Sequence, residues 1–328
     1  MADRSEVWFA VINVYAASKQ AAEYWKQAEN YLKDKGFVYH GSRTGRGGNA
    51  MELAFDACMA GYRRFIAVGG DGTVHDVLNG IAGYIDWKNA DGGSVSFSDF
   101  TLGVIPMGSG NDWIRTVGIP KDMNKSLDVL IAGNLSRQDV VKVSLLEQKS
   151  LPSENPVSVS YMANVGGVGI DARVCETVNA KKREGKRGKI LYVTSLIKAI
   201  KERVPAAAKV YKDGELVFDG AYLSMAFGIG KYSGGGMRQT PDAVLDDGLL
   251  DVTIIPDIPL MRIALEAPRL FTGSFLKVPE LSSFRGSVIT VLPETSSCTE
   301  PVEVDGEVVG RAPVRFEIMD SQINIVTP

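Results

Sequence analysis

The sequence predicts an α/β N-terminal domain built on a doubly wound, mostly parallel sheet, followed by a C-terminal antiparallel β-sandwich domain. Three observations predict it. Over the first 140 residues, apolar strand-like runs alternate with segments whose apolar residues recur at helical spacing, a pattern produced by right-handed parallel crossovers. Beyond that point the segments are short, strand-like and separated by turns, as antiparallel sheets are. The length, 328 residues of which 45% are hydrophobic, exceeds what a single core holds. The expected division is 1–140 and 141–328.

VWFAVIN at 7–13 opens the chain as a buried strand, and AAEYWKQAENYLKDKG follows as a helix that Gly36 stops. FVYHGSR reads as a strand, NAMELAFDACMAG as a helix, RRFIAVGG as a strand, DVLNGIAGYI as a helix and TLGVIPMG as a further strand. Between the last two, DGGSVSFSD at 91–99 is expected to be a mobile loop. VVKVSLL, VSVSYMANVG, AAAKVYKDGELVFDGAYLSMAFGI, LLDVTIIPD, SVITVLPE, EVDGEVVG and QINIVTP supply the β domain, with helical insertions near 188–203 and 259–272.

Charge and cysteine content exclude several classes. A net charge of -3, with no long basic block, provides no field for nucleic acid. Cys58, Cys175 and Cys298 are far apart, odd in number and outside any CxxC spacing. They read as thiols of a reducing compartment, so the expected location is cytoplasmic. No stretch approaches the ~18 apolar residues of a membrane span, so any membrane contact is expected to be peripheral.

The chemistry concentrates in two turns. Strand FIAV runs into Gly69-Gly70-Asp71-Gly72-Thr73 and then directly into a helix. Glycines let an oxyanion approach main chain at a helix N-terminus, as a phosphate chain requires. An acid among them makes sense facing a nucleotide-borne Mg²⁺ or a hydroxyl about to lose its proton. Asp71 or Thr73 acting as a helix cap is the plainer alternative. LGVIPMGSGNDWIR at 102–115 repeats the design on what should be the adjacent strand. Ser109 and Asn111 can donate to phosphate or sugar oxygens there, and Asp112 either helps hold a metal or caps its helix.

Other features carry weaker signals. His75, one turn into the helix, reads as packed or capping. KKREGKRGK at 181–189, with ILYVTSLIKAI behind it, fits either an anionic lipid surface or a solvated loop. The segment 258–281 mixes Leu, Met, Phe and Ile with Arg and Lys, as either a lipid entrance or a core would. Asp305-Gly306-Glu307 suits a hairpin turn as well as an acidic pair, and KDGEL at 212–216 repeats the tripeptide as a turn.

With NVGGVGIDARV at 164–174, GGGMRQTPDAVLDDGLLDV at 234–252 and VDGE at 304–307 added to the two turns, the chain resembles the lipid kinases of the diacylglycerol kinase and sphingosine kinase type over nearly its whole length. The resemblance implies transfer of the γ-phosphoryl group of ATP to a lipid hydroxyl, with Mg²⁺, at a cleft between a nucleotide domain and a β-sandwich. It puts Thr44, Gly69, Gly70, Asp71, Gly72, Thr73, Ser109 and Asn111 on the nucleotide. Asp305 and Glu307 match the family's catalytic acidic pair, Glu307 as general base, and Asp247 matches the acid of a structural Mg²⁺ site; beside them Asp71 is the alternative proton acceptor and Asp112 stays either a metal ligand or a cap. The implied partner is a lipid with a free hydroxyl, and a homodimer is compatible with the sequence.

Two departures from the family pattern stand out. Val14 to Ser18 replaces the usual Asn-Pro and glycine after the first strand, and Lys142 stands where an acid is common, leaving Asp139 to rebuild that network or the network incomplete. They motivate one rival, a catalytically silent nucleotide-binding module; a second, a kinase of a soluble substrate such as NAD, rests on GGDG, which NAD kinases share, and the β-domain motif argues against it.

Overall fold

Alternation along Trp8–Ile12 (β1) starts the first sheet: Trp8, Ala10 and Ile12 join one apolar cluster, while Phe9 meets Tyr62 and Phe65 on the opposite face. The computed structural model describes residues 4–15, 21–45, 48–147, 156–183, 194–195, 198–202, 206–295 and 300–328. In it β1 pairs in parallel with Tyr39–Arg43 (β2) on one side and Arg64–Gly69 (β3) on the other, and Thr101–Pro106 (β4) extends the sheet beyond β3. The connecting helices are Ala21–Asp34 (α1), Ala50–Met59 (α2) and Asp71–Ala90 (α3). Trp25, Ala28 and Leu32 of α1 pack on the Trp8 face. Helices α2 and α3 pack together so closely that a Cβ on Gly80 would meet the Ala54 Cβ at 2.7 Å. Since β2 and β3 flank β1, strand order reverses there, and the C-terminal ends of β1 and β3 form the place where such sheets bind ligands.

Asp112–Val117 (α4) and Met123–Ala132 (α5) follow β4. Helix α5 and the edge strand Leu135–Gln138 (β5) are absent from the expected elements, although the α5 signals are local: the Asp122 carboxylate accepts from the Lys125 amide at 3.0 Å, and Gly133 ends the helix in the left-handed region.

The chain's last strand corrects the expected division. Ile323–Val326 inserts between β4, to which it is parallel, and β5, to which it is antiparallel. Asp320–Pro328 therefore belongs with Met1–Val140, and the second unit is Val141–Met319. QINIVTP would look the same in either sheet; pairing with Thr101 and Leu102 decides. Loop 91–99 is also corrected. Asn89 exchanges two hydrogen bonds of 2.8 Å with Val95, Phe97 is buried, and Ser96 and Asp99 form a capping box.

The second unit holds an eleven-stranded antiparallel sheet. Its strands are Val141–Leu145 (β6), Ser158–Met162 (β7), Val165–Gly169 (β8), Ala206–Lys212 (β9), Glu215–Gly228 (β10), Leu250–Pro256 (β11), Ser282–Gly286 (β12), Val288–Pro293 (β13), Pro301–Val304 (β14), Glu307–Arg311 (β15) and Val314–Ile318 (β16); Ile323–Val326 is β17. The long β10 pairs with β8, β9 and β11, so the sheet branches there and folds around its core in a sandwich-like or barrel-like way. Phe227 and Phe316 stack at 4.2 Å inside that core. The helices are Ile170–Arg183 (α6), Leu260–Glu266 (α7) and Arg269–Thr272 (α8). The last two match the insertion expected at 259–272. Of the one expected at 188–203, residues 194–195 and 198–201 are helical, Glu202 is in a turn, and the others lie outside the described residues.

Candidate active site

Strand β3 hands over to α3 with Gly70 as N-cap, and β4 leads into α4 with Asn111 as N-cap in the left-handed region. The two turns touch: a Cβ placed on Gly70 would lie 2.9 Å from the Gly108 Cα, and one on Gly108 would run into Gly70 in return. Main chain thus packs on main chain, where neither side can yield. Asp71 spans the junction, its Oδ1 accepting from the Trp113 amide at 3.0 Å, so the first residue of α3 caps the first turn of α4.

Gly69 has a different neighbour. A Cβ there would overlap the hydroxyl of Thr73, which is buried and accepts from Asn13 Nδ2 at 3.2 Å. The glycines at 69, 70 and 108 therefore serve close packing within the protein, as the tight-turn alternative requires, whatever else approaches them. Gly72 is the second residue of α3, and Ser109 is exposed. Asn111 Nδ2 donates to the Gly108 carbonyl at 2.8 Å. Thr44, just past β2, donates its amide to the Ile12 carbonyl at 2.9 Å, while its buried hydroxyl finds no partner among the described residues. An incoming polar group would satisfy that atom.

Asp112 is buried, with Arg115 at 3.3 Å. Its Oδ2 and that of Asp71 lie 3.7 and 3.1 Å from the point where a Cβ on Gly110 would stand. Both carboxylates thus border one glycine, each with its other oxygen turned to Arg115 or to the Trp113 amide, and acidic oxygens are the donors a divalent cation takes. The donor set fits a nucleotide-borne Mg²⁺. Asp139, buried nearby in sequence, accepts from Gln322 Nε2 at 2.9 Å, whereas Lys142 sits on β6 opposite Glu317 and Tyr161. His75 is buried in α3, its carbonyl accepting from Asn79 at 2.8 Å, so it is a packed residue.

In the second unit, Asp305 and Gly306 both have positive φ and make the turn of the β14–β15 hairpin. Asp213 and Gly214 make the same turn between β9 and β10, so the tripeptide alone does not separate the two. Their surroundings do. Asp305 spends both carboxylate oxygens on the Ala163 and Asn164 amides at 2.9 Å, which makes it an anchor of its turn. Glu307 is exposed, and Asn179 of α6 reaches it, donating to Glu307 Oε2 at 3.2 Å and to the Gly306 carbonyl at 3.0 Å. Beneath the turn, buried Glu303 accepts from the Gly306 amide at 2.8 Å. Burial pushes the Glu303 carboxyl well above its ordinary range; the Gly306 bond opposes this, and the carboxylates of Asp171, Asp305 and Glu307 add to it. Burial likewise raises Asp171, with hydrogen bonds from Ser224 and Gln239 in partial opposition.

Asp247 departs from its expected role. Arg285 pairs with its Oδ2 and, at 2.9 Å, with Asp251, while Asp247 Oδ1 accepts from the Leu249 amide at 3.2 Å. The positive charge facing this acid is a guanidinium, and the residues present do not fit a divalent ion there. Among the described residues, no group of three or more His, Cys, Asp or Glu could hold a metal.

A family model described as the diacylglycerol kinase catalytic domain matches residues 7–143, and one described as the YegS C-terminal NAD kinase beta sandwich-like domain matches residues 164–327. The chain belongs to the diacylglycerol kinase family. Curated diacylglycerol kinases of Staphylococcus carnosus and Staphylococcus saprophyticus are 25% and 27% identical, each aligning over 90% of this chain and 87% of its own length. A Pseudomonas putida protein named as a YegS-like lipid kinase is 26% identical over 92% of this chain and 90% of its own. Two solved Bacillus anthracis structures share the fold, each covering 98% of this chain and 97% of its own, with TM-scores of 0.74 at 21% identity and 0.68 at 16%. As a diacylglycerol kinase family member, the chain is a phosphotransferase acting on lipid-like substrates.

Several residues that shape this family member's site escaped the sequence reading. Asn13, Trp113, Asn179 and Glu303 each touch a motif residue from far along the chain or from outside the motif. Only the Val-Asp-Gly-Glu context hinted at Glu303, two positions before Asp305. Parts of three expected features, Ala16 to Ser18 of the first loop, most of the basic cluster at 181–189 and Cys298, lie outside the described residues.

Proposed function

We propose that the protein transfers the γ-phosphoryl group of ATP to a hydroxyl of a lipid such as diacylglycerol or a sphingoid base. The observation that carries this reading is the junction of the two turns, Gly70 against Gly108 with Asp71 bonded to the Trp113 amide. When bound, Mg²⁺-ATP supplies the phosphoryl group and the charge that neutralises it. The N-terminus of α3 and the Gly69–Thr73 turn cradle phosphate, with Ser109, Asn111 and the Thr44 hydroxyl as polar contacts. Asp71 and Asp112 hold the cation. Glu307 takes the proton from the acceptor hydroxyl as the oxygen–phosphorus bond forms and the bond to the β–γ bridging oxygen breaks. Such proton acceptance contributes roughly 10²- to 10⁴-fold.

Membrane contact is peripheral in this reading. No described helix is long and apolar enough to cross a bilayer, and Met261, Leu265 and Phe271 on α7 and α8 are exposed. The test is incubation with Mg²⁺, γ-labelled ATP and total membrane lipid, followed by identification of the labelled product. Label in lipid, abolished by Asp71→Asn or Glu307→Gln in folded protein, is the expected result. One observation favours a soluble acceptor instead, the NAD-kinase-like description of the matched C-terminal model; label in NAD without lipid would establish that reading. Tight ATP binding with no turnover on a broad lipid panel would overturn both in favour of a silent module.

A further inference from the structure

The Asp305-Gly306-Glu307 turn is held from three directions, and the three contacts do different work. Asp305 reaches the Ala163 and Asn164 amides, and Glu303 takes the Gly306 amide from inside the sheet. Both fix the main chain and leave the Glu307 side chain free to rotate. Among the described residues, Asn179 is the one that hydrogen-bonds that side chain. Its Nδ2 carries two hydrogens, one placed on the Gly306 carbonyl at 3.0 Å and the other on Glu307 Oε2 at 3.2 Å. The same amide therefore grips main chain and carboxylate together, which ties the direction of Glu307 to the turn.

We propose that Asn179 is the positioning residue for the proton acceptor, engaging Glu307 Oε2 so that Oε1 is presented to the acceptor hydroxyl. This rests on the phosphotransfer reading above. The lipid O–H bond breaks and its proton passes to Oε1; the lipid oxygen bonds to the γ-phosphorus, and the bridging oxygen leaves with its electron pair on ADP. Carboxylate exposure makes the restraint necessary. An exposed glutamate samples several rotamers, and a base pointing elsewhere when the nucleotide arrives contributes nothing. Asn179 comes from α6, a helix that buries Ala172, Val174 and Val178 beneath it, so the restraint is anchored in a packed element.

The experiment compares Asn179→Ala, Asn179→Asp and Glu307→Gln, with Glu176→Ala as a control on the same helix. Phosphorylation of total membrane lipid in detergent micelles is followed against pH and ATP concentration. Asn179→Ala should lower kcat roughly 10- to 100-fold with KM for ATP unchanged. Asn179→Asp keeps the shape, so it reports even if the alanine variant fails to fold. It replaces a donor with an anion beside Glu307, which favours the protonated base, and the acidic limb of the kcat profile should move to higher pH. A base other than Glu307 would leave that limb in place, while a purely structural role for Asn179 would lower the amount of folded protein in Asn179→Ala and leave the kcat of the folded fraction unchanged. An unmoved limb together with near-normal kcat, while Glu307→Gln is inactive, would overturn the role of Asn179 and leave the phosphotransfer reading intact. Full activity in Glu307→Gln, or no lipid labelling by the unaltered protein, would overturn the base assignment and this inference with it.

Discussion

The Asp71 carboxylate accepts a hydrogen bond from the Trp113 amide at 3.0 Å, so the acid of the first glycine turn is also the cap of the helix that follows the second. Structure and chemistry share one side chain. Asp71→Asn keeps an acceptor of the same shape and loses the charge. It should therefore cost at least about 10²-fold in phosphotransfer with little change in melting temperature. Asp71→Ala loses the cap as well and should destabilise by about 1 kcal/mol, measured by urea denaturation alongside activity.

Where the two turns meet, backbone contact leaves no room for a methyl group. Gly108→Ala should cost about 1–3 kcal/mol, since neither Gly70 nor the Asn111 side chain can move without disturbing a cap. Calorimetric titration with ATP should show weakened binding in the same variant. Normal stability would mean that the turns separate easily.

Glu303 makes stability depend on pH in an unusual direction. Its folded carboxyl titrates above the unfolded one, chiefly through burial. Between those two values the folded state holds a proton that the unfolded chain has lost, so this group's contribution falls as pH rises through that window and then levels off. Glu303→Gln keeps the acceptor for the Gly306 amide and removes the titration. Denaturation at pH 5 and pH 8 should show a smaller loss of stability in the variant than in the parent protein.

Asp213 and Asp305 form matched turns with different consequences. Asp213 Oδ1 accepts from the Ser287 amide and hydroxyl and from the Val288 amide, at 3.1, 2.9 and 2.8 Å. Desolvation opposes ionisation there, and the hydrogen bonds outweigh it, so the carboxyl is held below its ordinary range. Its stabilisation is present above the unfolded value and is lost as pH falls through the lowered folded one. Asp213→Ala should cost about 1 kcal/mol at neutral pH without affecting phosphotransfer. Asp305→Ala should cost both stability and activity, because it releases the turn that carries Glu307.

Arg285 bridges Asp247 and Asp251, and these contacts hold its guanidinium above its ordinary value. Chelation of divalent ions should therefore leave the melting temperature unchanged. Arg285→Ala, which leaves two neighbouring carboxylates uncompensated, should lower stability by about 1–2 kcal/mol after allowance for solvent screening. A melting temperature that drops on chelation would restore a metal at Asp247.

Periodicity and turn chemistry were enough to fix most of the architecture from the sequence. Alternation along β1, helical spacing in α1 to α3, and the glycine turns at 69–73 and 106–112 are local properties, and each was legible where it stood. The family was legible too, because its motifs are contiguous. Other features depend on what lies opposite. QINIVTP carries a strand pattern that suits either sheet, and pairing with β4 assigned it to the first. Asp305 and Glu307 look equivalent in VDGE, yet one meets two amides and the other meets Asn179, which only the packing of α6 and the β7–β8 turn determines. Asp247 reads as a metal ligand until Arg285, on β12, takes its place beside it. Propensity and periodicity act between neighbours in the chain, whereas a carboxylate's role is set by the charges and donors that folding brings within a few ångströms of it.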